Sequence, residues 1–327
     1  VHRYARRMYI DPALFHDDAV SQETRAFNAG LQELLMSLPD TSQFTPDQIR
    51  KARREGKSWL GPVVHSDHAD TITIDGPGGD LDLRIIEPDK SNGVYLHIHG
   101  GGWVLGAADL SDVPNEAMAE EAGVTVISVD YRLAPEHPYP AGVEDCAVAA
   151  RWLIENGESV LGTDRFTIGG ESAGANLAAA TLLRTRDVIG YTDWLGANLA
   201  YGTYLPHGTP SVRQWTTRGL ILEPDTMNWF GEHYVGGQTI EMDDPDFSPL
   251  YGRLNNMPPA LFSIGTWDPL LDDTLFMATR WLAAGNNAEL AIYPGGVHAF
   301  DAFPIPIAAE ARGRMHRFIA DAVNREL

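Results

Sequence analysis

The sequence has 327 residues, 44% of them hydrophobic and 21% charged, and its formal net charge is −21 at pH 7. This composition indicates a globular protein that is long enough to bury a large core. The negative charge argues against nucleic acids and anionic membrane surfaces as partners. It also favours a small neutral substrate, although solubility or adaptation to a salty habitat is the simpler explanation of the charge.

Cysteine usage bounds the compartment and the metal chemistry. Cys146 is the single cysteine, which excludes an internal disulfide and predicts a reducing, cytoplasmic location. No Cys/His group has the spacing of a zinc site, so we expect no metal. Residues 1–7 are basic with no long apolar stretch behind them, so no secretory signal is predicted. No apolar run approaches the roughly 20 residues of a membrane span, so no membrane partner is expected.

The predicted elements begin with two polar helices. Residues 21–38 form the first, which ends before Pro39, and residues 46–59 form the second, with Thr45 as the expected N-cap. The hydrophobic period then changes to two. Two alternating runs flank a turn rich in Gly, Pro and Asp, and they predict a β-hairpin from residues 71–74 and 81–85.

Apolar strands and helices alternate after the hairpin. The predicted strands are residues 94–98, 124–129, 166–168, 195–199, 260–264 and 290–293. The predicted helices are residues 113–122, 142–155, 173–184, 274–284 and 307–323. This alternation predicts an α/β fold, with a mostly parallel central sheet flanked by helices.

One segment interrupts the alternation. Residues 201–246 are rich in loops and aromatic side chains, with one helix near residues 224–234. We expect this segment and residues 1–60 to form a helical cap. The catalytic core would then comprise residues 70–200 and 247–327, within a single domain that spans residues 1–327.

Residues 170–174 read Gly-Glu-Ser-Ala-Gly, the pattern of a nucleophile elbow. The pentapeptide alone occurs by chance in about one chain in ten of this length. Here it follows a predicted strand and opens a predicted helix, which is the context that the elbow requires. Small flanking residues allow the tight turn that exposes Ser172, and the helix start offers a free N–H at Ala173.

A second glycine motif, His-Gly-Gly-Gly at residues 99–102, follows the strand 94–98. Three glycines leave a bare backbone that can aim N–H groups at a substrate carbonyl. A plain flexible loop is the alternative. Because this loop and the elbow follow different strands of one predicted sheet, we interpret it as half of an oxyanion hole, and the chemistry as acyl transfer.

A base and an orienting acid are expected after the serine. Asp268 follows the strand 260–264 and His298 follows the strand 290–293, both at the carboxyl edge where sites form in open α/β sheets. Asp272 and Asp273 are rival acids, and we expect them to cap a helix instead.

The other histidines have plainer interpretations. His97 and His99 share one face of a strand, where a metal pair lacks a third ligand, and His99 is expected to hold the glycine loop by a hydrogen bond. The remaining candidates lie in polar or surface segments: His65, His68, His233 and His316.

Together these motifs resemble those of the hormone-sensitive-lipase-like group of α/β-hydrolase esterases. The segments that carry the resemblance are residues 99–103, 130–136, 170–178, 267–270 and 298–300. The resemblance implies an α/β-hydrolase fold with a helical cap, carboxylic ester hydrolysis without a cofactor, and a homodimer. It implies Ser172, Asp268 and His298 as the catalytic triad, and oxyanion donors at Gly101, Gly102 and Ala173.

The chain departs from the family pattern at two positions. Glu171 stands where Asp or Thr is more usual, and we interpret it as a hydrogen-bonding residue at a helix start. Ala299 follows the histidine where Gly is usual. Asp130, Arg132 and Glu136 are expected to form a structural charge cluster rather than to bind substrate.

Bulky residues near the expected cavity mouth suggest a closed pocket for short acyl chains: Trp103, Leu220, Ile221, Met227, Trp229 and Phe230. The alternative is that they form the core of the cap. The predicted activity is hydrolysis of short-to-medium acyl esters. An amidase, lactonase, thioesterase or carbohydrate deacetylase would use the same triad, and a non-catalytic binding protein on this scaffold is a further alternative.

Overall fold

An eight-stranded sheet forms the centre of the protein, as seen in a computed structural model that describes residues 9–325. In chain order the strands are β1 (Ala69–Gly76), β2 (Gly79–Ile86), β3 (Val94–Ile98), β4 (Thr125–Val129), β5 (Phe166–Glu171), β6 (Gly196–Ala200), β7 (Ala260–Trp267) and β8 (Ala288–Val297). Their order in the sheet is β1-β2-β4-β3-β5-β6-β7-β8. Strand β2 is antiparallel to β1 and β4, and the other neighbouring pairs are parallel.

Helices lie before, between and after the strands. They are α1 (Gln22–Met36), α2 (Pro46–Arg54), α3 (Asp112–Ala122), α4 (Ala141–Leu161), α5 (Ala173–Arg184), α6 (Pro210–Gln214), α7 (Pro224–Val235), α8 (Leu271–Ala283) and α9 (Pro306–Asn324). Short 3₁₀ turns occupy Pro12–Phe15, Asp17–Ala19, Thr41–Gln43, Ala108–Ser111, Pro249–Tyr251 and Phe300–Ala302, and a π-helical turn occupies Thr185–Ile189.

The two faces of the sheet pack into two separate hydrophobic cores. Tyr95 and Leu96 are neighbours on β3, yet Tyr95 packs with residues of α3 and α9, whereas Leu96 packs with residues of α4 and α5. Side chains alternate between the faces of a strand, so a strand covered on both sides must be apolar throughout. The predicted α/β fold with a mostly parallel, helix-flanked sheet is therefore confirmed.

Several element boundaries differ from the predicted ones. Helix α2 ends at Arg54 instead of residue 59, because the chain turns at Gly56, which has a φ of 67°. Helix α4 continues to Leu161, and Gly157 inside it lies against the ring of Phe166, where a side chain would not fit. Strands β7 and β8 extend to Trp267 and Val297, so they deliver the chain directly to the next residues, 268 and 298.

The first helices are fixed to the sheet edge by side-chain hydrogen bonds. Asn28 on α1 donates to the carbonyl of Gly295 on β8 at 2.8 Å. Arg50 on α2 donates to the carbonyl of Val104 at 2.8 Å and pairs with Glu136 at 2.9 Å. The prediction made for residues 1–7 lies outside the described residues. Within residues 9–325, every helix is too short or too polar to cross a bilayer.

Candidate active site

Ser172 sits on a strained turn between β5 and α5. Its backbone has φ 56° and ψ −119°, a combination that L residues rarely adopt. The turn is held tightly, because Ser172 N–H donates to the carbonyl of Ala200 at 2.9 Å. A Cβ on Gly174 would lie 1.9 Å from the carbonyl oxygen of Ile98, so no larger residue fits there. The Gly-x-Ser-x-Gly spacing is thus a packing requirement of this turn.

A hydrogen-bonded chain links the predicted serine, histidine and acid. His298 Nε2 lies 2.9 Å from Ser172 Oγ, and His298 Nδ1 lies 2.8 Å from Asp268 Oδ2. Asp268 is 2% exposed and His298 is 5% exposed. The carboxylate can only accept, so Nδ1 carries the proton and Nε2 is free to accept from the serine hydroxyl. A base within reach of a hydroxyl, oriented by a buried acid, is the geometry that activates a nucleophile.

The rival acids have a different task, and their predicted role as caps of their own helix is wrong. Asp273 is buried and accepts from the N–H groups of Tyr204 and Leu205 and from the hydroxyl of Thr209. Asp272 accepts from Ser211 N–H at 2.8 Å. Both carboxylates reach across to the segment after β6, because the first turn of α8 lies against it, so they hold that segment in place.

The glycine loop, residues 99–102, lies beside the serine. Gly101 has a φ of 118°, and a Cβ there would meet the carbonyl of Leu105 at 2.2 Å, so only glycine fits. A Cβ on Gly100 would lie 3.5 Å from Ser172 Cβ, which shows how closely the loop approaches the nucleophile. Within residues 9–325, no acceptor is bound by the N–H groups of Gly101, Gly102 and Ala173. These donors are available to a ligand.

Glu171 joins the elbow to the glycine loop. Its Oε1 accepts from Gly100 N–H at 2.8 Å, and its Oε2 lies 3.0 Å from His97 Nε2. Burial alone would raise the pKa of Glu171, but the His97 imidazole and the Gly100 N–H together hold that pKa below its ordinary value. The interpretation of Glu171 as a helix-start residue missed this contact, because Gly100 lies 71 positions earlier in the chain.

The two strand histidines have separate partners. His97 Nδ1 lies 2.8 Å from Ser128 Oγ, whereas His99 Nδ1 donates to its neighbour's carbonyl at 2.8 Å, as predicted. The ring of His99 also stacks on Tyr131 at 4.2 Å. Burial lowers the pKa of His99, which keeps the ring neutral. Both histidines therefore support the glycine loop, His99 through the Gly100 carbonyl and His97 through Glu171.

The predicted charge cluster is not one cluster. Asp130 accepts from Ala108 N–H at 3.0 Å, and Arg132 binds the buried Asp145 at 2.9 Å. Glu136 instead pairs with Arg50 of α2. The three charges follow one another in sequence, but the chain turns between them and each meets a different partner.

A cavity of about 1480 Å³ lies over Ser172 and His298. Four of the predicted pocket residues line it: Trp103, Ile221, Met227 and Phe230. Phe230 packs on the glycine loop, since a Cβ on Gly102 would lie 2.2 Å from its ring.

Two predicted pocket residues, Leu220 and Trp229, are buried and do not line the cavity. On α7 the lining residues Met227 and Phe230 are three apart and share one helix face. Trp229 lies on another face and packs against His233, with 4.4 Å between ring centroids and a tilt of 45° between the rings. Leu220 joins the second hydrophobic core.

Sequence reasoning also missed Tyr201, which directly follows β6. Its ring meets His298 edge-on, with 5.0 Å between centroids, and its hydroxyl donates to Asp301 at 2.6 Å. Burial, together with the nearby Asp301, raises the pKa of Tyr201 well above its ordinary value, so the hydroxyl stays protonated. Its position at the carboxyl edge of the sheet was the signal that could have found it.

The sequence of the chain is similar to those of other proteins. Residues 95–302 match the family model described as the alpha/beta hydrolase fold. The chain is 35% identical to Esterase LipI of Mycobacterium tuberculosis over 91% of its own length and 95% of that protein. It is 39% identical to Carboxylesterase NlhH of the same species, over 75% of the chain and 79% of that protein.

Solved structures agree with the sequence matches. A hyperthermophilic esterase from the archaeon Pyrobaculum calidifontis superposes with a TM-score of 0.82 at 31% identity, over 91% of this chain and 98% of that one. The chain therefore belongs to the α/β-hydrolase family. Its expected membership of the hormone-sensitive-lipase-like group of esterases, and with it the enzyme class, is confirmed.

Proposed function

We propose that this enzyme hydrolyses carboxylic esters with short-to-medium acyl chains, with Ser172, His298 and Asp268 as its catalytic triad. The observation that carries the proposal is the hydrogen-bonded chain from Asp268 through His298 to Ser172, which opens into the cavity. The names of the related proteins, an esterase and a carboxylesterase, support the same substrate class.

The reaction has two steps. In the first, His298 takes the hydroxyl proton as Ser172 Oγ bonds to the ester carbonyl carbon, and returns that proton to the departing alcohol as the C–O bond breaks. In the second, water attacks the acyl-enzyme, His298 takes its proton, and the proton passes to Ser172 Oγ as the acid leaves. Asp268 stabilises the imidazolium in each step. No cofactor is required.

The charge that forms on the carbonyl oxygen needs donors, and three free N–H groups are candidates. Those of Gly101, Gly102 and Ala173 bind no described acceptor; the first two belong to the loop whose Gly100 approaches Ser172, and Ala173 directly follows Ser172. Loss of one such donor typically costs about 3–4 kcal/mol of barrier. We therefore assign these three residues as the oxyanion hole.

We propose that residues 1–60 and 201–246 form a cap over the core of residues 70–200 and 247–327, all within one domain. Residues 1–8 of this proposed cap lie outside the described residues. Two contacts among the described residues support the cap. Phe230 packs on Gly102, and Arg50 donates to the carbonyl of Val104. Both contacts bring the segments to the rim of the glycine loop. The expected homodimer and cytoplasmic location stay predictions.

A substrate panel tests the proposal. The panel contains 4-nitrophenyl esters from acetate to laurate, the matched 4-nitroanilides, a lactone and a thioester. We expect the esters with short-to-medium acyl chains to be hydrolysed fastest. Ser172→Ala should abolish turnover of every member. A maximum at laurate, or faster cleavage of the anilides than of the esters, contradicts the proposed substrate class.

A further inference from the structure

The cavity is larger than a short ester needs, and one segment of its lining is rich in cations, although the carboxylates of Asp109, Glu171 and Asp301 line other parts of it. Its volume of about 1480 Å³ exceeds the 300–1,000 Å³ of common small-molecule sites. Four cations of one segment line it: Arg50, Arg53, Arg54 and Lys57. The chain as a whole has a net charge of −21. The expectation of a neutral substrate used the net charge, so it does not extend to this rim.

Part of this charge is available to a ligand. Arg50 is engaged by Glu136, and Arg53 donates to the carbonyl of Gly61 at 2.7 Å. Arg54 is exposed and has no hydrogen bond or ion pair with any residue between 9 and 325. Lys57 pairs with the partly exposed Glu55 and keeps a side-chain exposure of 72%. Arg54 is thus the rim cation with the most freedom to bind.

The dipole of helix α2 does not explain why Arg53 and Arg54 line the cavity while Lys51 does not. Cations in the last turn of a helix are favourable because the peptide dipoles leave negative charge there. Lys51 lies in that turn too, but it is exposed outside the cavity, whereas Arg53 and Arg54 line it. The helix dipole accounts for all three equally, so the turn of two cations toward the cavity is a separate feature.

Exposed apolar side chains line the same cavity as these cations. Leu38, Phe44, Trp59 and Leu60 line the cavity and are each between 37% and 52% exposed. Large apolar groups that stay exposed beside a pocket mark a surface that a ligand covers. Apolar surface and cations together match a molecule that has a hydrocarbon segment and an anionic end.

We propose that the cavity takes amphiphilic anions, and that the esters hydrolysed at Ser172 include those with a carboxylate, sulfate or phosphate beyond an apolar segment. This rests on the proposed esterase function. Arg54 is the specificity residue, with Lys57 beside it. Exposed ion pairs are individually weak, so one or two of them should favour the anion by about two- to tenfold.

The test compares two non-hydrolysable probes, decyl sulfate and decanol, as competitive inhibitors of 4-nitrophenyl butyrate hydrolysis. We expect decyl sulfate to bind two- to tenfold more tightly, and 0.5 M NaCl to remove most of that difference. Arg54→Glu should abolish the preference. Lys51→Glu changes the same charge on the same helix outside the cavity and should keep it. Thermal melting checks that both variants are folded.

The outcomes separate this inference from the proposed function. Equal inhibition by the two probes, or equal effects of Arg54→Glu and Lys51→Glu, overturns the inference while butyrate hydrolysis continues. Butyrate hydrolysis that survives Ser172→Ala overturns the proposed function instead. Calorimetry of decyl sulfate binding to the Ser172→Ala protein then still decides whether the rim binds an amphiphilic anion.

Discussion

The Glu171 carboxylate accepts the N–H of Gly100 at 2.8 Å, so the residue before the nucleophile holds the first glycine of the loop that carries the proposed oxyanion donors. The same carboxylate binds His97, whose other nitrogen lies 2.8 Å from Ser128 Oγ. Strand β5 thus fixes the loop after β3 through one side chain. This contact couples the position of the proposed donors to the position of the nucleophile.

Removing this link should impair turnover more than binding. Glu171→Ala leaves the Gly100 N–H without its acceptor, and we expect kcat to fall by about 10- to 100-fold with little change in KM, because small displacements of aligned groups are costly. Glu171→Gln can still accept from Gly100 and should stay within about threefold of wild type. Affinity for a trifluoromethyl ketone, which mimics the oxyanion, should fall in parallel with kcat.

A purely structural role would give a different pattern. Glu171→Ala would then lower the melting temperature while kcat and the affinity for the ketone stayed at wild-type values in the folded fraction. Equal losses in the Ala and Gln variants would also contradict the positioning role.

Phe230 should limit the acyl chain. It lines the cavity and packs on Gly102, so Phe230→Ala enlarges the space above the glycine loop. We expect the chain-length optimum for 4-nitrophenyl esters to move toward longer chains. Trp229→Ala is the control on the same helix, because Trp229 is buried outside the cavity. It should reduce stability without moving the optimum, and identical profiles for the two variants would contradict the assignment.

Asp273 should make stability depend on pH. Burial raises its pKa from 3.8 to about 7, although its hydrogen bonds to Thr209, Leu205 and Tyr204 oppose the shift. Between these pH values the folded protein holds a proton that the unfolded chain has lost. Proton binding at Asp273 therefore stabilises the folded state. The stabilisation is complete below pH 3.8 and is lost as the pH rises toward 7.

Asp273→Asn removes this titration while keeping an acceptor for the two backbone N–H groups. The stability of the variant relative to wild type should therefore increase between about pH 4 and pH 7, as measured by urea unfolding. A flat difference for Asp273→Asn would show that the buried carboxylate does not titrate in this range.

Arg132 should be structural. It binds Asp145, which is 1% exposed, through its guanidinium and its backbone N–H. Arg132→Met strands a buried carboxylate, and we expect a loss of about 3 kcal/mol in unfolding free energy. Arg218→Met, at an exposed pair, should change little. An unchanged stability for Arg132→Met would contradict the structural role. If ester affinity were lost as well, the result would indicate a role in substrate binding.

Much of the site follows from the order of strands in the sequence. Parallel strands bring their carboxyl ends to one edge, so the residues after β5, β7 and β8 had to meet there. That rule predicted Ser172, Asp268 and His298 as neighbours, and the same rule applies to Tyr201, which follows β6. Local patterns are sufficient here because each residue is the first one beyond a buried strand.

The other features depend on how side chains turn. Glu171 meets Gly100 only because β3 and β5 are adjacent, which the sequence order of the strands does not reveal. Trp229 and Phe230 are consecutive, yet the helix rotates by about 100° between them and only Phe230 enters the cavity. Asp273 crosses to another segment, a contact that a helix-cap pattern cannot anticipate.

Covalent labelling of the nucleophile is the decisive experiment for the proposed triad. We predict that a fluorophosphonate modifies the enzyme with one equivalent per chain, that mass spectrometry of the digest locates it on Ser172, and that ester hydrolysis is lost in step. His298→Ala should react far more slowly, because the base that activates the hydroxyl is missing. Modification at another residue, or full ester hydrolysis by the Ser172→Ala protein, would exclude Ser172 as the nucleophile.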